Sequence, residues 1–203
     1  MLAVGVLVSG RGSNLQALLD AAATPGYPAR VVVVISDREQ AGALDRARAA
    51  GVEALWVNPK DFADREAFDL ALVAALQARG VGLVCHAGFM RILSPPYVRA
   101  FAGRAFNIHP ALLPAFPGLH PQRQALEHGV KVAGATVHFV DETVDAGPIV
   151  LQAAVAVEEG DTEATLAARI LREEHRLYPA AVRLFAEGRL EVRGRRVIVK
   201  EPR

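Results

Sequence analysis

An asparagine and a histidine stand two residues apart in a short apolar segment, at Asn107 and His109. Residues with this spacing on a strand share one face, while Phe106 and Ile108 point to the other face and into apolar packing. The pair ends the strand, and open α/β sheets bind ligands outside the carboxyl ends of their strands. An imidazole there can exchange a proton near neutral pH or donate to an oxyanion, and an amide adds an uncharged donor. A histidine with a purely structural role is the alternative.

A catalytic imidazole needs an acid that orients it. Three acids lie in the loop after the next apolar segment, at Asp141, Glu142 and Asp145. Asp145 is the strongest candidate, because the small and rigid Ala146-Gly147-Pro148 after it lets the backbone approach another element closely. The other two acids are equally consistent with solvated turn residues. A carboxylate beside His109 would favour the charged imidazolium.

A glycine-rich turn follows the first apolar segment, at Gly10 to Asn14. Backbone N–H groups at a helix start point outward and the helix dipole favours an anion, so this turn can hold a phosphate. The alternative is that Ser13 or Asn14 caps the helix. A dinucleotide fingerprint needs a third glycine where Leu15 stands, and a Walker loop needs Gly-Lys-Ser/Thr, which is absent. Asp37 can still mimic the acid that binds a cofactor ribose, which keeps a nicotinamide oxidoreductase open.

Other residues carry weaker signals. Arg91 can receive a carboxylate or line a pocket, or it can be a surface arginine that caps carbonyls, and its neighbours Met90, Ile92 and Leu93 are typical of a core. The remaining histidines show neither His-Glu-x-x-His nor close Cys/His spacing, so no metal centre is expected. A Gly-x-Ser-x-Gly elbow is also absent, which disfavours a serine hydrolase.

The elements that must position these groups alternate between strand and helix patterns in the first half. Four consecutive valines between Arg30 and Ile35 are typical of a strand buried on both faces of a parallel sheet. The patterns predict strands at Leu2–Val8, Arg30–Ile35, Glu53–Val57 and Val81–Cys85, and helices from Leu15, at Ala41–Ala50 and at Arg65–Ala78. This alternation predicts an open α/β sheet.

The second half changes character. It predicts a strand at Ala105–Ile108, a proline-rich loop at Pro110–Pro117, a short helix around Arg123–Glu127, a long helix at Thr165–Glu187 and a terminal hairpin at Leu190–Val199 that turns near Gly194. Two more strands, Val132–Val140 and Ile149–Val157, are joined by a loop too short for a crossover helix. They are therefore predicted to pair antiparallel.

Length and composition narrow the function further. The 203 residues, 52% of them apolar, predict one globular domain. A net charge of +1 disfavours a broad nucleic-acid surface, which needs clustered cations. The single cysteine, Cys85, excludes an internal disulfide and a thiolate zinc cluster. The lack of a leader pattern and of any run near the roughly 18 apolar residues of a membrane span predicts a soluble, cytoplasmic protein.

Several longer motifs occur in a fixed order along the chain: Ser9–Ala17 (SGRGSNLQA), Ala87–Ser94 (AGFMRILS), Phe106–Pro114 (FNIHPALLP), Pro117–His120 (PGLH), Gly134–Val140 (GATVHFV) and Asp145–Ile149 (DAGPI). With them, the chain from Val4 to about Gly188 resembles the phosphoribosylglycinamide formyltransferases, also called glycinamide ribonucleotide transformylases. Several motifs in one order are far more specific than any one of them. The pattern departs from the family at Pro121-Gln122, after His120.

The resemblance implies a role for each matching residue. Asn107, His109 and Asp145 match the catalytic trio, and Gly12, Ser13 and Asn14 match the segment that holds the ribonucleotide phosphate. The folate-contacting positions are Arg65, Met90, Arg91, Ile92, Leu93, Asn107, Val140, Asp141 and Glu142. The other ribonucleotide contacts are Leu171, Arg172, Glu173 and Glu174, with Glu174 expected at the ribose hydroxyls.

The resemblance also implies the fold and the reaction. The fold is a single-domain, Rossmann-like α/β formyltransferase fold, with a mostly parallel sheet, an antiparallel C-terminal pair and helices on both faces. Residues 1–188 form the catalytic domain, and residues 189–203 a C-terminal hairpin extension. The implied reaction transfers a formyl group directly from 10-formyltetrahydrofolate, the co-substrate, to glycinamide ribonucleotide in purine synthesis. It uses no metal, nucleic acid or membrane, and the protein is expected to be a monomer or homodimer.

Four alternatives stay open at this point. Formyltetrahydrofolate deformylase uses water as the acceptor and methionyl-tRNA formyltransferase uses a charged tRNA, but both usually carry an extra domain, which the length of 203 residues disfavours. A nicotinamide reductase would use Asp37 on a ribose. A folate- or nucleotide-binding module would keep the binding sites without turnover.

Overall fold

The computed structural model describes residues 1–201. The chain forms two compact units, one of which ends at Phe106 while the other begins at Asn107. The boundary falls inside the strand that carries Asn107 and His109. The glycine-rich turn belongs to the first unit, and the three residues of the expected catalytic trio belong to the second.

The first unit is built on parallel strands with helices between them. Its strands are β1 (Leu2–Val8), β2 (Ala29–Ser36), β3 (Glu53–Trp56) and β4 (Leu83–His86), in the order β3-β2-β1-β4. Neighbours in this order are parallel. Its helices are α1 (Ser13–Ala22), α2 (Gly42–Ala49), α3 (Arg65–Gln77) and α4 (Pro95–Ala100), with a 3₁₀ turn at Pro59–Asp61.

The central strands of this unit lie in its core. Val6 and Leu7 of β1 are fully buried, as are Val33, Val34 and Ile35 of β2. Successive apolar residues are buried together only when both faces of a strand are covered, which is the property that the valine run predicts. The glycine-rich turn therefore follows a strand that is buried on both faces.

The second unit mixes antiparallel and parallel pairing. After β5 (Ala105–His109) come α5 (Pro121–Glu127), β6 (Val132–Phe139), β7 (Ile149–Ala156), α6 (Glu163–Ala186), β8 (Leu190–Arg193) and β9 (Arg196–Val199). The strand order is β5-β6-β7-β9-β8. The pairs β6/β7 and β8/β9 are antiparallel, whereas β9 joins β7 in parallel at the single pair Ile149 and Arg196.

The predicted α/β class, with parallel strands first and an antiparallel pair in the second half, is confirmed. The long helix begins at Glu163 instead of Thr165, because Thr162 and Thr165 cap it reciprocally through their side chains and backbone N–H groups. The sequence patterns miss α4 and the 3₁₀ turn. The division of the chain at residue 188 stays a prediction. Among residues 1–201, no helix has the length and apolar character to span a membrane.

Candidate active site

The glycine-rich turn after β1 packs against the start of α2. Gly12 has a φ of 76°, and a Cβ atom at this position would lie 2.6 Å from the Cβ atom of Ala43. Hydrogen bonds from Ala43 N–H to Gly10 O (3.1 Å) and from Arg46 Nε to Arg11 O (2.9 Å) hold the main chain of the turn. Since only glycine combines a positive φ with so close an approach, this turn is fixed by its sequence.

The N-terminus of α1 is open to an anion. Its N-cap residue is Gly12, no side chain caps it, and its first turn contains no acid. Ser13 and Asn14 are already helical, so the alternative that one of them caps the helix is wrong. The first N–H groups of a helix have no partner within the helix, and the helix dipole favours negative charge beside them. This arrangement suits the phosphate role expected of Gly12, Ser13 and Asn14.

The segment between β4 and α4, residues 90–93, is fastened at both ends. Met90 N–H donates to Ser9 Oγ (2.9 Å) at its start. At its end, Ser94 N–H donates to the carboxylate of Asp69 (2.6 Å), which is fully buried. The segment is therefore held in place from the turn after β1 and from α3.

Two of the three apolar residues of this segment face outwards. Met90 is 62% exposed and Ile92 is 64% exposed, so the prediction that they belong to the core is wrong, while Leu93 is half-buried. Exposed apolar side chains on a fixed segment offer contact area to an apolar ligand, which suits their expected folate role. Arg65, the other expected folate contact in this unit, is the exposed first residue of α3.

Arg91 is half-buried and held by two neighbours. Its guanidinium lies over the Phe68 ring, 5.0 Å from the ring centroid, and its Nη1 lies 3.9 Å from Asp37 Oδ2. Asp37, the acid that would bind a ribose in a nicotinamide reductase, thus faces an arginine of its own unit. The Nε of Arg91 is buried and has no hydrogen-bond partner among the described residues.

The expected catalytic trio meets in the second unit. Asn107 Nδ2 lies 3.3 Å from Asp145 Oδ1, and His109 Nδ1 lies 3.4 Å from Asp145 Oδ2. Asn107 and His109 therefore share one face of β5, as their spacing predicts, while Phe106 and Ile108 are buried. The geometry brings the three side chains together, and their catalytic roles stay predictions.

Both ring nitrogens of His109 face oxygen atoms. Nε2 donates to the carbonyl oxygen of Phe116 (2.8 Å), because a carbonyl can only accept, and Nδ1 faces the Asp145 carboxylate. A ring protonated on both nitrogens satisfies both contacts. For Nε2 to donate to a substrate oxygen, it must exchange the Phe116 carbonyl for that oxygen.

The turn that contains Phe116 also contacts Asp145. Gly118 N–H donates to Asp145 Oδ2 (2.8 Å). Phe116 and Gly118 have φ values of 54° and 80°, a left-handed conformation that glycine adopts freely and phenylalanine rarely. The backbone of this turn thus binds both members of the His109–Asp145 pair.

Asp145 is an ionised carboxylate at neutral pH. Burial acts to raise the pKa of Asp145, but contact with the His138 ring, the Gly118 N–H bond and the charge of His109 outweigh it, and the pKa lies below its ordinary value of 3.8. An ionised carboxylate in this position can orient an imidazole and accept a proton.

His138 is a buried member of the site that the sequence analysis does not assign. Its Nδ1 donates to Phe139 O (2.8 Å), and its Nε2 lies 3.2 Å from Asn107 Nδ2 and 3.6 Å from Asp145 Oδ1. When the ring is neutral Nε2 accepts from the amide, and when it is charged Nε2 donates to the carboxylate. The available signal was a polar residue at the end of the apolar strand β6, just before the loop that carries Asp145.

The amide of Asn107 bridges this histidine and the carboxylate. Both hydrogens of its Nδ2 atom have a partner within reach, one at His138 and one at Asp145. The expected donation from Asn107 to an oxyanion therefore requires that one of these bonds be given up. The bridge meanwhile fixes the amide plane.

The remaining expected folate contacts of the second unit begin the loop between β6 and β7. Val140 and Asp141 are half-buried, and Glu142 is exposed. Asp141 accepts a hydrogen bond from Thr143 N–H (2.9 Å), the turn contact that its alternative interpretation predicts. No group of three His, Cys, Asp or Glu side chains within residues 1–201 is placed to hold a metal ion.

The expected ribonucleotide contacts of α6 differ in burial. Glu174 is buried, Leu171 is half-buried, and Arg172 is exposed. Glu173 forms an ion pair with Arg176 (2.7 Å) on the same helix. Glu174 is thus the most enclosed side chain of this group, and its expected role at the ribose hydroxyls stays a prediction.

Comparisons with known proteins agree on one family. The sequence model of the formyl transferase family matches residues 2–182. The phosphoribosylglycinamide formyltransferase of Escherichia coli is 46% identical over 187 residues, which cover 92% of this chain and 88% of the relative. The trifunctional purine biosynthetic protein adenosine-3 of Drosophila pseudoobscura is 51% identical over 189 residues, but this chain spans only 14% of that protein.

A solved structure extends the similarity to three dimensions. The glycinamide ribonucleotide transformylase 1 of Symbiobacterium toebii is 61% identical and superposes with a TM-score of 0.98, over 99% of this chain and 95% of that one. The match of the family model to most of the chain and the identity to full-length relatives give the same assignment. The chain belongs to the formyl transferase family, among its phosphoribosylglycinamide formyltransferases.

Proposed function

We propose that the chain transfers the formyl group of 10-formyltetrahydrofolate to the amino group of N1-(5-phosphoribosyl)glycinamide, a step of purine biosynthesis in the cytoplasm. The products are the formylglycinamide ribonucleotide and tetrahydrofolate. The observation that carries this proposal is the contact of Asp145 with both Asn107 and His109, the residues that match the family's catalytic trio. The names of the relatives, which refer to phosphoribosylglycinamide or glycinamide ribonucleotide, support the same acceptor.

The first chemical step is attack of the glycinamide amine on the formyl carbon. An α-amino group has an unperturbed pKa of about 7.7–8.0, so a useful fraction is neutral and nucleophilic at physiological pH. Attack creates a tetrahedral oxyanion. His109 Nε2 then donates to this oxyanion and no longer to the Phe116 carbonyl, and Asn107 is the second donor. Each such donor contributes about 2.7–4 kcal/mol in measured oxyanion holes. Orientation of the two substrates contributes up to roughly 7–11 kcal/mol more.

The second step moves a proton and breaks the old C–N bond. The attacking nitrogen carries an extra proton, and the folate nitrogen must gain one to leave as a neutral amine. Asp145 holds His109 and, through a water molecule, passes the proton from the first nitrogen to the second. The sequence of steps needs neither an acyl-enzyme nor a metal.

The remaining residues bind the two substrates in this proposal. Gly12, Ser13 and Asn14 hold the phosphate at the open N-terminus of α1, and Glu174 binds the ribose hydroxyls. Residues 90–93 contact the folate, with Arg91 directed to a carboxylate. The other folate contacts are Arg65, Asn107, Val140, Asp141 and Glu142, and the other ribonucleotide contacts are Leu171, Arg172 and Glu173.

The decisive experiment offers the purified protein two acceptors. One reaction contains 10-formyltetrahydrofolate and glycinamide ribonucleotide, the other contains the folate in water alone, and both are assayed for tetrahydrofolate, formate and the formylated ribonucleotide. We expect formylated ribonucleotide in proportion to the tetrahydrofolate released. Formate and tetrahydrofolate in equal amounts, without formylated ribonucleotide, would identify a deformylase. Folate binding without any product would identify a binding module, and either result contradicts the proposal.

Asn14→Ala is expected to raise the KM for the ribonucleotide about 10- to 100-fold, because a hydrogen bond to a charged group contributes about 1.5–3 kcal/mol. Steady-state kinetics with each substrate varied in turn measure this effect. Asp20→Ala is the control. Asp20 is an exposed residue of the same helix, and its carboxylate accepts a hydrogen bond from Gln16. A rise confined to the KM for the folate would exclude the phosphate role.

A further inference from the structure

The turn that carries Asp145 is strained. Asp145 has a φ of 52°, a left-handed conformation that is uncommon for a residue with a side chain. Two residues later, a Cβ atom on Gly147 would lie 1.8 Å from Phe139 O, so the backbone approaches β6 as closely as glycine permits. Strained backbone at a functional position persists only where the surrounding structure holds it.

One of the groups that hold this turn comes from the C-terminal hairpin. Arg195, at the tip between β8 and β9, donates from Nη2 to the carbonyl oxygen of Ala146 (3.0 Å), the residue after Asp145. The other side of the same residue is also fastened, because Ala146 N–H donates to Thr143 O (3.3 Å). The Ala146–Gly147 peptide is thus bound by a cation outside the loop, and the Asp145–Ala146 peptide is held by Thr143 within it.

The sheet fixes where this arginine stands. Arg196, the next residue, begins β9 and pairs with Ile149, the first residue of β7. The hairpin therefore joins the sheet at the point where the loop of Asp145 re-enters it. The hairpin also lies beyond residue 182, where the match to the family model ends.

We propose that Arg195 is a positioning residue for catalysis: it acts through the Ala146 carbonyl to hold Asp145 in the orientation that binds His109 and Asn107. This inference rests on the proposed function for its kinetic consequence. Asp145 Oδ2 contacts His109 Nδ1 (3.4 Å) and Gly118 N–H (2.8 Å), so a shift of the main chain at Ala146 that moves Asp145 with it would disturb both contacts. Arg195 itself touches no reacting atom.

Removal of the guanidinium tests this role. Arg195→Ala is expected to lower kcat about 5- to 20-fold while the KM values of both substrates stay within about twofold, because an interaction that acts only on the transition state changes kcat alone. Arg195→Lys retains a cationic donor and is expected to recover part of the loss. In an Asp145→Asn background Arg195→Ala is expected to have no further effect on kcat, since the carboxylate that it positions is gone.

The control lies in the same hairpin. Arg193 ends β8 and pairs with Glu191, so Arg193→Ala removes an equal charge that makes no described contact with the loop of Asp145. We expect Arg193→Ala to keep the kcat of the wild type. Equal losses in Arg193→Ala and Arg195→Ala would show a general weakening of the hairpin and would overturn the proposal, as would an unchanged kcat in Arg195→Ala.

Hydrogen exchange supplies a measurement that does not depend on turnover. Gly118 N–H donates to Asp145, so its exchange is expected to become several-fold faster in Arg195→Ala and to stay at the wild-type rate in Arg193→Ala. If the wild type formylated no glycinamide ribonucleotide, the proposed function would fail and this exchange rate alone would decide the role of Arg195. An unchanged rate at Gly118 in Arg195→Ala overturns the positioning role in either case.

Discussion

His109→Ala is expected to lower kcat by about 10²–10³-fold, the range found when one oxyanion donor is removed. The KM values of both substrates are expected to stay within about threefold, since the ring contributes to the transition state more than to substrate binding. Steady-state kinetics with formylated ribonucleotide as the measured product test both parts. An unchanged kcat would exclude His109 from the reaction.

A second variant separates hydrogen-bond donation by the His109 side chain from its contribution to packing. His109→Gln keeps an N–H donor of similar reach but cannot carry a positive charge, so we expect its kcat to lie between those of the wild type and His109→Ala. Thermal unfolding of both variants shows whether the loss follows stability, because His109 is buried and contacts Phe116 O and Asp145. Equal kcat values for the two variants, with equal melting temperatures, would contradict a donor role for the ring.

Local sequence patterns predict the parts of the site that depend on strand geometry. The spacing of Asn107 and His109 places both on one face of β5, and the small residues after Asp145 predict the close approach that Gly147 makes to Phe139. The antiparallel pairing of β6 and β7 follows from the short loop between them. These features can be predicted from the alternation of side chains along a strand and from the conformational freedom of glycine.

The missed features depend on contacts between residues distant in sequence. The residue types of Met90, Ile92 and Leu93 predict a core, yet Met90 and Ile92 face outwards on a segment whose ends are fastened by distant residues, Ser9 and Asp69. Helix α4 begins at the same fastening, where Ser94 N–H meets the buried carboxylate. His138 carries no motif of its own and joins the site only because β6 lies beside β5. No local pattern encodes such pairings, which arise when the sheet assembles.

The occupation of His109 Nε2 by a main-chain carbonyl is a further feature that residue types do not reveal. The contact uses the main-chain oxygen of Phe116, so the type of side chain at this position does not reveal it. This contact has a chemical consequence, because the Nε2 proton that the proposed mechanism offers to the substrate already forms a hydrogen bond within the chain. Formation of the oxyanion therefore competes with a neutral carbonyl acceptor, and a charged acceptor forms the stronger hydrogen bond.

Asp145→Asn is expected to lower kcat by about 10²–10⁴-fold, the range of general acid–base contributions. The substitution keeps the size of the side chain but removes the charge beside His109 and the acceptor for a proton in transit. It also sets an amide NH₂ group either against Asn107 Nδ2, which contacts Oδ1, or against Gly118 N–H and His109 Nδ1, which both contact Oδ2, since an amide has one acceptor oxygen where the carboxylate has two. Kinetics at saturating substrate measure the loss, and Glu159→Gln, which removes an exposed carboxylate that pairs with Lys131, is the control.

The pH dependence of stability gives this prediction an independent test. Because the pKa of Asp145 lies below its ordinary value of 3.8, the unfolded chain binds the proton more readily than the native state does. The carboxylate therefore stabilises the native state above the unfolded pKa, and this contribution is lost as the pH falls through the lower native pKa. The wild type should exceed Asp145→Asn in unfolding free energy at about pH 5, and this difference should shrink below about pH 4. A difference that grows as the pH falls below about 5 would show that Asp145 is protonated in the native state, and the carboxylate could not then act as the base that moves the proton.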